Sequence, residues 1–239
     1  KFIARLHKLN KPLALVVLGG RPLALSDVEK LADAILYVWQ PGTEGGNAIA
    51  NLIYGKANPC GKTVMSFPRS VGQCPIYYNH FSTARPKRKD IPSFYSDERF
   101  RSGYDDEYNS PLYPFGYGLS YTEFEYFNFE LSAVKLNRGG KITASVKLKN
   151  VGKKDGFETV QWYLHDLFAS VVRPVKELKG YERVFLKAGE EKLITFEITE
   201  ETLKFYTDGG EFAAETGTFE LFAGGNSRDC LKADFELID

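Results

Sequence analysis

Lys141-Ile142-Thr143-Ala144-Ser145-Val146-Lys147-Leu148-Lys149 alternates apolar and polar side chains without a break, whereas Leu13-Ala14-Leu15-Val16-Val17-Leu18 is apolar throughout and stops at Gly19-Gly20. Successive side chains of a strand point to opposite faces, so the first pattern puts one face in a core and the other in water. The second pattern describes a strand covered on both faces, as in a parallel sheet flanked by helices. The chain therefore holds two kinds of sheet, and the change of period divides it.

Downstream, the half-buried theme recurs in Val160-Gln161-Trp162-Tyr163-Leu164, Val184-Phe185-Leu186, Leu193-Ile194-Thr195-Phe196-Glu197-Ile198 and Thr218-Phe219-Glu220-Leu221-Phe222-Ala223, separated by turns rich in Gly, Asp and Lys. About seven short strands in roughly 110 residues predict an antiparallel sandwich with Trp162 in its core. His165, at the end of its strand, is expected at the sandwich edge. Upstream, Ser26 with Glu29 three residues later reads as a capping box opening a short helix. Ala34–Trp39 is a second buried strand, stopped by Pro41-Gly42, and residues 45–54 form a helix ended by Gly55. From Asn58 to Tyr121 the chain is rich in Pro, Gly, aromatic and charged residues with little periodicity, which predicts a long surface loop. The period changes near Phe124–Asn128, giving a first domain over residues 1–125 and a second over 126–239.

Composition agrees with two soluble domains: 239 residues, 43% hydrophobic, 14% aromatic and 26% charged. Lys plus Arg and Asp plus Glu both number 31, so no net field draws the chain to nucleic acid or anionic lipid. No apolar run approaches the roughly 18–20 residues that span a bilayer. The chain opens at Lys1 without Met or signal peptide, inside the helix-like Phe2–Leu9, which reads as a cut or processed chain. Cys60, Cys74 and Cys230 have neither CxxC nor zinc-ligand spacing, so no metal or redox motif is expected. Free thiols and a Cys60–Cys74 bridge both remain open.

Few residues carry recognisable chemistry. Leu18-Gly19-Gly20-Arg21-Pro22 sits between strand and helix, where nucleotide-binding proteins place a phosphate cradle, but it matches neither GxGxxG nor GxxxxGK[ST], and Pro22 lacks an N–H. Asp97/Glu98, Asp105/Asp106/Glu107 and Glu44 are loop carboxylates of the type used in glycoside cleavage, yet nothing singles out a pair. His7, His80 and His165 accompany no nucleophile elbow. No catalytic residue, cofactor site or metal site is expected.

The ordered series Trp39-Gln40-Pro41-Gly42-Thr43-Glu44-Gly45-Gly46, Gly55-Lys56-Ala57-Asn58-Pro59-Cys60-Gly61-Lys62, Ser66-Phe67-Pro68-Arg69-Ser70-Val71-Gly72-Gln73-Cys74-Pro75, Pro114–Phe124, Arg173–Val184 and Lys187–Glu190 resembles the C-terminal region of glycoside hydrolase family three, of the periplasmic β-glucosidase type. The resemblance implies the last half of a flavodoxin-like α/β sandwich followed by a fibronectin type III-like sandwich. It also implies a parent enzyme hydrolysing terminal β-D-glucosyl residues by the retaining two-step route, in the periplasm or secreted. In that family a barrel supplies the Asp nucleophile and an early loop of the α/β sandwich the Glu acid/base; neither matches any residue here. Thr83-Ala84-Arg85-Pro86 resembles a loop that usually carries Gly where Ala84 stands.

The loop from about Pro75 to Asn109 is expected at the rim of the parent's sugar site. Tyr77, Tyr78, Phe94, Tyr95, Phe100 and Tyr104 would stack on sugar faces, and Asn79, His80, Arg85 and Arg101 would donate to hydroxyls, with His80, Arg85 and Arg101 the candidate substrate contacts. A clamp role for the same loop is the bland alternative. Expected partners are β-linked glucosides, together with the barrel and the first half of the α/β domain, with self-association left open. A non-catalytic carbohydrate-binding or interaction module is the rival reading, favoured by exposed aromatic platforms on the sandwich.

Overall fold

The computed structural model describes residues 1–95, 97–98 and 100–239, which divide into two compact units. The first comprises residues 1–58, 64–77 and 85–114; the second comprises 59–63, 78–84 and 115–239.

The first unit opens with helix α1 (Phe2–His7), strand β1 (Ala14–Leu18), helix α2 (Ser26–Glu29), strand β2 (Ala34–Trp39) and helix α3 (Gly45–Ile53). β1 and β2 pair in parallel, Ala14 with Ala34 through Val17 with Tyr37, with a bulge before Leu18 meets Trp39. This is the strand–helix–strand unit expected from two uninterrupted apolar runs. The capping box is not formed: Leu25 precedes the first turn of α2, and the Ser26 hydroxyl donates to the Arg69 carbonyl (2.8 Å). The core of this unit is small, with Leu25, Phe67 and Leu112 buried and Ile35, Tyr37, Trp39 and Tyr113 packed around them. No residue of β1 is fully buried, and Leu18 is 63% exposed. Rings of Tyr37, Trp39, Phe67 and Tyr113 meet edge to face at 4.9–5.9 Å.

Two short 3-10 turns, Val71–Gln73 and Ser93–Tyr95, punctuate the long loop, and polar side chains replace a regular ladder in tying it down. Gln73, 1% exposed, accepts from the Arg69 N–H (2.6 Å) and donates to the Tyr108 carbonyl (2.7 Å). Arg69 in turn donates to the carbonyl of Ser110 and lies 4.8 Å over the Tyr108 ring.

The second unit contains strands β3 (Phe124–Leu131), β4 (Lys135–Asn137), β5 (Lys141–Asn150), β6 (Gly156–Asp166), β7 (Glu177–Leu186), β8 (Glu191–Thr199), helix α4 (Glu200–Leu203), and strands β9 (Phe205–Tyr206), β10 (Phe212–Ala213), β11 (Gly217–Gly224) and β12 (Cys230–Ile238). A five-stranded sheet, β4-β12-β11-β6-β7, and a three-stranded sheet, β3-β5-β8, supply one core; β9 and β10 form a separate hairpin. All pairs are antiparallel except β12 with β4. Ile142, Ala144, Val146 and Leu148 are each 0% exposed, so the alternation read in 141–149 places its apolar face inside. Trp162 is 2% exposed and stacks on Phe196 at 5.4 Å. His165 is not at an edge: β6 lies between β11 and β7, and the imidazole Nδ1 sits 2.9 Å from Glu220.

β6 is buried on both faces, which its sequence pattern understates. Val160, Trp162 and Leu164 face the core, while Gln161 and Tyr163, also buried, face the other way. That outer face is covered by the short segments 59–63, 78–84 and 115–118. Gln161 donates to the carbonyls of Gly116 (3.2 Å) and Gly225 (2.6 Å); Tyr163 packs edge-on to Tyr78, which stacks on Phe115 at 4.3 Å. Thr63 and Gly116 exchange with their neighbours through Thr63 N–H to Tyr117 O and Gly116 N–H to Thr63 O, both 2.7 Å. Gly116 has φ +79, and a Cβ there would sit 1.9 Å from Gln161 Oε1; one on Gly118 would sit 2.1 Å from the Gly61 carbonyl. Glycine is required at Gly116 by the positive φ and the buried Gln161 side chain, and at Gly118 by close backbone approach.

Candidate functional site: the 75–109 loop and its anchorage

His80 belongs to the second unit, Arg85 and Arg101 to the first. The exposed His80 is placed by its backbone. Its carbonyl accepts from Val175 N–H (2.9 Å), Phe81 forms a bridge with Pro174, and the Tyr78 hydroxyl accepts from Leu178 N–H (3.3 Å). Segment 78–81 therefore rides on the stretch 174–178. Its imidazole Nδ1 lies 3.0 Å from the Phe81 carbonyl, leaving the other ring nitrogen outward.

Arg85 and Arg101 are brought together by a parallel bridge of Pro86 with Ser102 and by Ser102 N–H donating to the Arg85 carbonyl (2.8 Å). The Arg85 side chain is exposed. Arg101 is engaged within the loop: Nη1 donates to the Pro86 carbonyl (3.1 Å), and Nε stands 3.7 Å from Glu98.

Glu98, one of the loop carboxylates considered for catalysis, is 8% exposed and accepts from the backbone N–H groups of Arg88 (3.1 Å) and Lys89 (3.3 Å). A carboxylate held this way organises a turn. Asp90 Oδ1 likewise accepts from Asn109 N–H (2.7 Å) and Ser110 N–H (3.2 Å), and Lys87 Nζ donates to the carbonyls of Ile91 (3.1 Å) and Tyr104 (2.6 Å). Sequence reading missed Lys87, Asp90 and Glu98 as loop braces; their partners lie up to 20 residues away and leave no local signature. Glu44 is occupied by the Asn47 amide (2.7 Å) and Glu107 by the Tyr108 N–H (2.9 Å).

Of the rings expected to stack on sugars, Tyr77, Phe94, Tyr95 and Phe100 are 61–87% exposed and Tyr104 is 37% exposed. Tyr78 is not available, since it is sandwiched against Phe115 and Tyr163. On the sandwich, the exposed Tyr206 and Phe212 pack on each other at 49°, which is a ring pair and not a flat platform. Among the described residues no group of three or more His, Cys, Asp or Glu is placed to hold a metal ion, and no helix is long and apolar enough to cross a membrane. Cys60, Cys74 and Cys230 are free thiols.

Burial raises the Tyr37 hydroxyl in the first unit; the other shifts described below lie in the sandwich. Burial pushes the Cys230 thiol up to about 11, so it is inert at neutral pH. Burial lowers Lys176, whose ammonium donates to the Ser227 carbonyl (2.7 Å) and covers the Phe222 ring. Burial raises Glu220, but hydrogen bonds from Lys232 and His165 outweigh it and hold this carboxyl below its usual range. Asp166 is pushed up to about 6 by burial.

Residues 1–121 match the Glycosyl hydrolase family 3 C-terminal domain, and residues 158–227 match the Fibronectin type III-like domain. The chain is 49% identical over 236 residues to a periplasmic beta-glucosidase of Salmonella typhimurium, covering 99% of this chain and 30% of that protein. It is 37% identical to a beta-xylosidase of Formosa agariphila, covering 97% of this chain and 31% of the relative. A crystal structure of beta-glucosidase from Listeria innocua in complex with glucose superposes on the whole chain with TM-score 0.92 at 42% identity, over 32% of its own length. The chain thus spans about 30% of the length of the relatives it matches.

Proposed function

Because this chain belongs to glycosyl hydrolase family 3, carrying its C-terminal domain followed by a fibronectin type III-like domain, we propose that it serves as the C-terminal part of a retaining β-glucosidase acting on terminal non-reducing β-D-glucosyl residues. The observation that carries this reading is 49% identity to a periplasmic beta-glucosidase along 99% of the chain. The two carboxylates of the retaining mechanism stand about 5–5.5 Å apart across the scissile bond. Here Glu98 and Glu107 are bonded within their own loop and Glu44 to Asn47 of α3, which supports supply of the catalytic pair from outside these 239 residues and an inactive isolated chain. The same relative supports a periplasmic or secreted setting.

Within that enzyme, Arg85, Arg101 and His80 are the proposed donors to sugar hydroxyls, and Tyr77, Phe94, Tyr95 and Phe100 the proposed stacking rings. The exposure of His80, Arg85 and the four rings on loops braced by Glu98 and by the 174–178 stretch supports the role, while Arg101 is half-buried and held to the Pro86 carbonyl. The first unit is proposed to complete its sheet with strands of the preceding α/β segment, since β1 and β2 are apolar on both faces and carry only each other as partners among the described residues.

The reading is tested with the enzyme containing this chain and with the chain alone. Cleavage of an aryl β-glucoside with retention by the former and no turnover by the latter is expected. Turnover by the pure chain that disappeared on substituting Asp97, Glu98, Asp105, Asp106 or Glu107 would refute it. An aryl β-xyloside cleaved in preference to the glucoside would move the substrate to the class named for the Formosa relatives.

A further inference from the structure

Among the described residues, three of the buried polar atoms without a hydrogen-bond partner belong to two residues of the second unit: both carboxylate oxygens of Asp166 and Nε of Arg173. Asp166 ends β6 on the face that carries Val160, Trp162 and Leu164, opposite Phe219 of β11, and is 7% exposed. A carboxylate in that position is shut off from bulk water with no protein hydrogen bond of ordinary geometry, a costly state for a charge. Burial is accordingly the main influence on it, and Glu215 adds to the effect. The Arg173 guanidinium, the Phe168 N–H and His165 pull the other way, yet none completes a hydrogen bond of ordinary geometry with it.

Arg173 is divided. Its Nη2 donates to Glu177 (2.6 Å) and its guanidinium carbon stands 4.2 Å over the Phe205 ring, leaving Nε as a donor with no acceptor. The next two residues are those that hold segment 78–81: Pro174 bridges to Phe81, and Val175 N–H donates to the His80 carbonyl.

We propose that Asp166 is a proton-operated latch on this stretch: as the uncharged acid it leaves Arg173 to Glu177 alone, and on ionising it engages the free Nε of Arg173 and shifts the Pro174–Val175 backbone that carries Phe81 and His80. The proton goes to solvent, and the guanidinium then serves two carboxylates through two different nitrogens, geometry its planar fork allows. The latch does not depend on His80 contacting sugar.

The test is a carbon-13 and nitrogen-15 NMR titration of the full chain from pH 4 to 8. The Asp166 carboxyl carbon is expected to titrate near pH 6, and the Arg173 Nε and the amides of Val175 and Phe81 to share that midpoint. Asp166→Asn is expected to abolish that component at Val175, whereas His80→Asn leaves it. An Asp166 midpoint near the ordinary value of about 3.9, or a Val175 titration that survives Asp166→Asn, overturns the proposal. Should Asp166→Asn fold poorly, the wild-type carboxyl midpoint and the His80→Asn comparison still decide it.

Discussion

A folded-state carboxyl raised from 3.8 to about 6, as at Asp166, makes the stability of the sandwich depend on pH in a direction opposite to the usual salt-bridged aspartate. Between about pH 4 and 6 the native chain keeps a proton that the unfolded chain has released, so stability is full below the lower value and is lost as pH rises through the upper one. That difference corresponds to about 3 kcal/mol. Asp166→Asn is therefore expected to raise the melting temperature by several degrees at pH 7.5 and to leave it nearly unchanged near pH 4; an equal change at both pH values contradicts this. Gly116 illustrates a second kind of single-residue dependence. Its φ of +79 and the 1.9 Å approach of a Cβ to Gln161 Oε1 combine an unfavourable backbone with a clash. Gly116→Ala should cost about 2–4 kcal/mol in chemical denaturation, the sum of left-handed strain and overpacking.

The elements differ sharply in how much they can stand alone. Every buried member of the sandwich core lies between Leu136 and Leu237, whereas among the described residues the buried hydrophobic cluster of the first unit is Leu25, Phe67 and Leu112. Residues 126–239 are proposed to fold autonomously, and residues 1–125 to fold poorly alone; a compact, cooperatively melting 1–125 fragment in circular dichroism and limited proteolysis would contradict this. The segment 59–63 joins the sandwich through one well-buried ion pair, Lys62 to Glu158 at 2.8 Å, with Lys62 also donating to the Gly118 carbonyl. The side chains are 15% and 7% exposed, so solvent screens the pair weakly. Lys62→Met strands the Glu158 charge and should lower stability by about 3 kcal/mol or more, while Lys62→Met with Glu158→Leu should recover much of it; a double variant no better than the single would show that the lysine acts through packing alone.

At the scale of the whole molecule, the loop residues are proposed as sugar contacts, with clamping as the alternative, and kinetics of the proposed enzyme separates the two. Alanine at His80 or Arg85, whose side chains make little internal contact, is expected to raise KM or lower kcat/KM for a disaccharide roughly tenfold without changing the melting temperature. Arg101→Ala should do both, because Arg101 also donates to the Pro86 carbonyl and neighbours Glu98. Unchanged kinetics with a lowered melting temperature for all three variants would assign the loop to clamping.

The sequence alone determined the kinds of element and their order. Apolar runs punctuated by glycine specified the β1–α2–β2 unit, and strict alternation specified β5, because side-chain period follows directly from backbone geometry. The ordered motifs from Trp39 to Glu190 carried the family. What only the tertiary structure decided are relations between residues distant in the chain. Ser26 reads as a cap until the Arg69 carbonyl takes its hydroxyl; Tyr78 reads as a sugar platform until Phe115 and Tyr163 enclose it. Gln161 and Tyr163 read as solvent-facing until segments 59–63, 78–84 and 115–118 cover that face of β6. Glu98 became a loop brace because the N–H groups that it accepts from lie nine and ten residues upstream. Local patterns encode which face of an element is apolar, but the partner of a polar group is fixed only when folding brings distant backbone within hydrogen-bond reach.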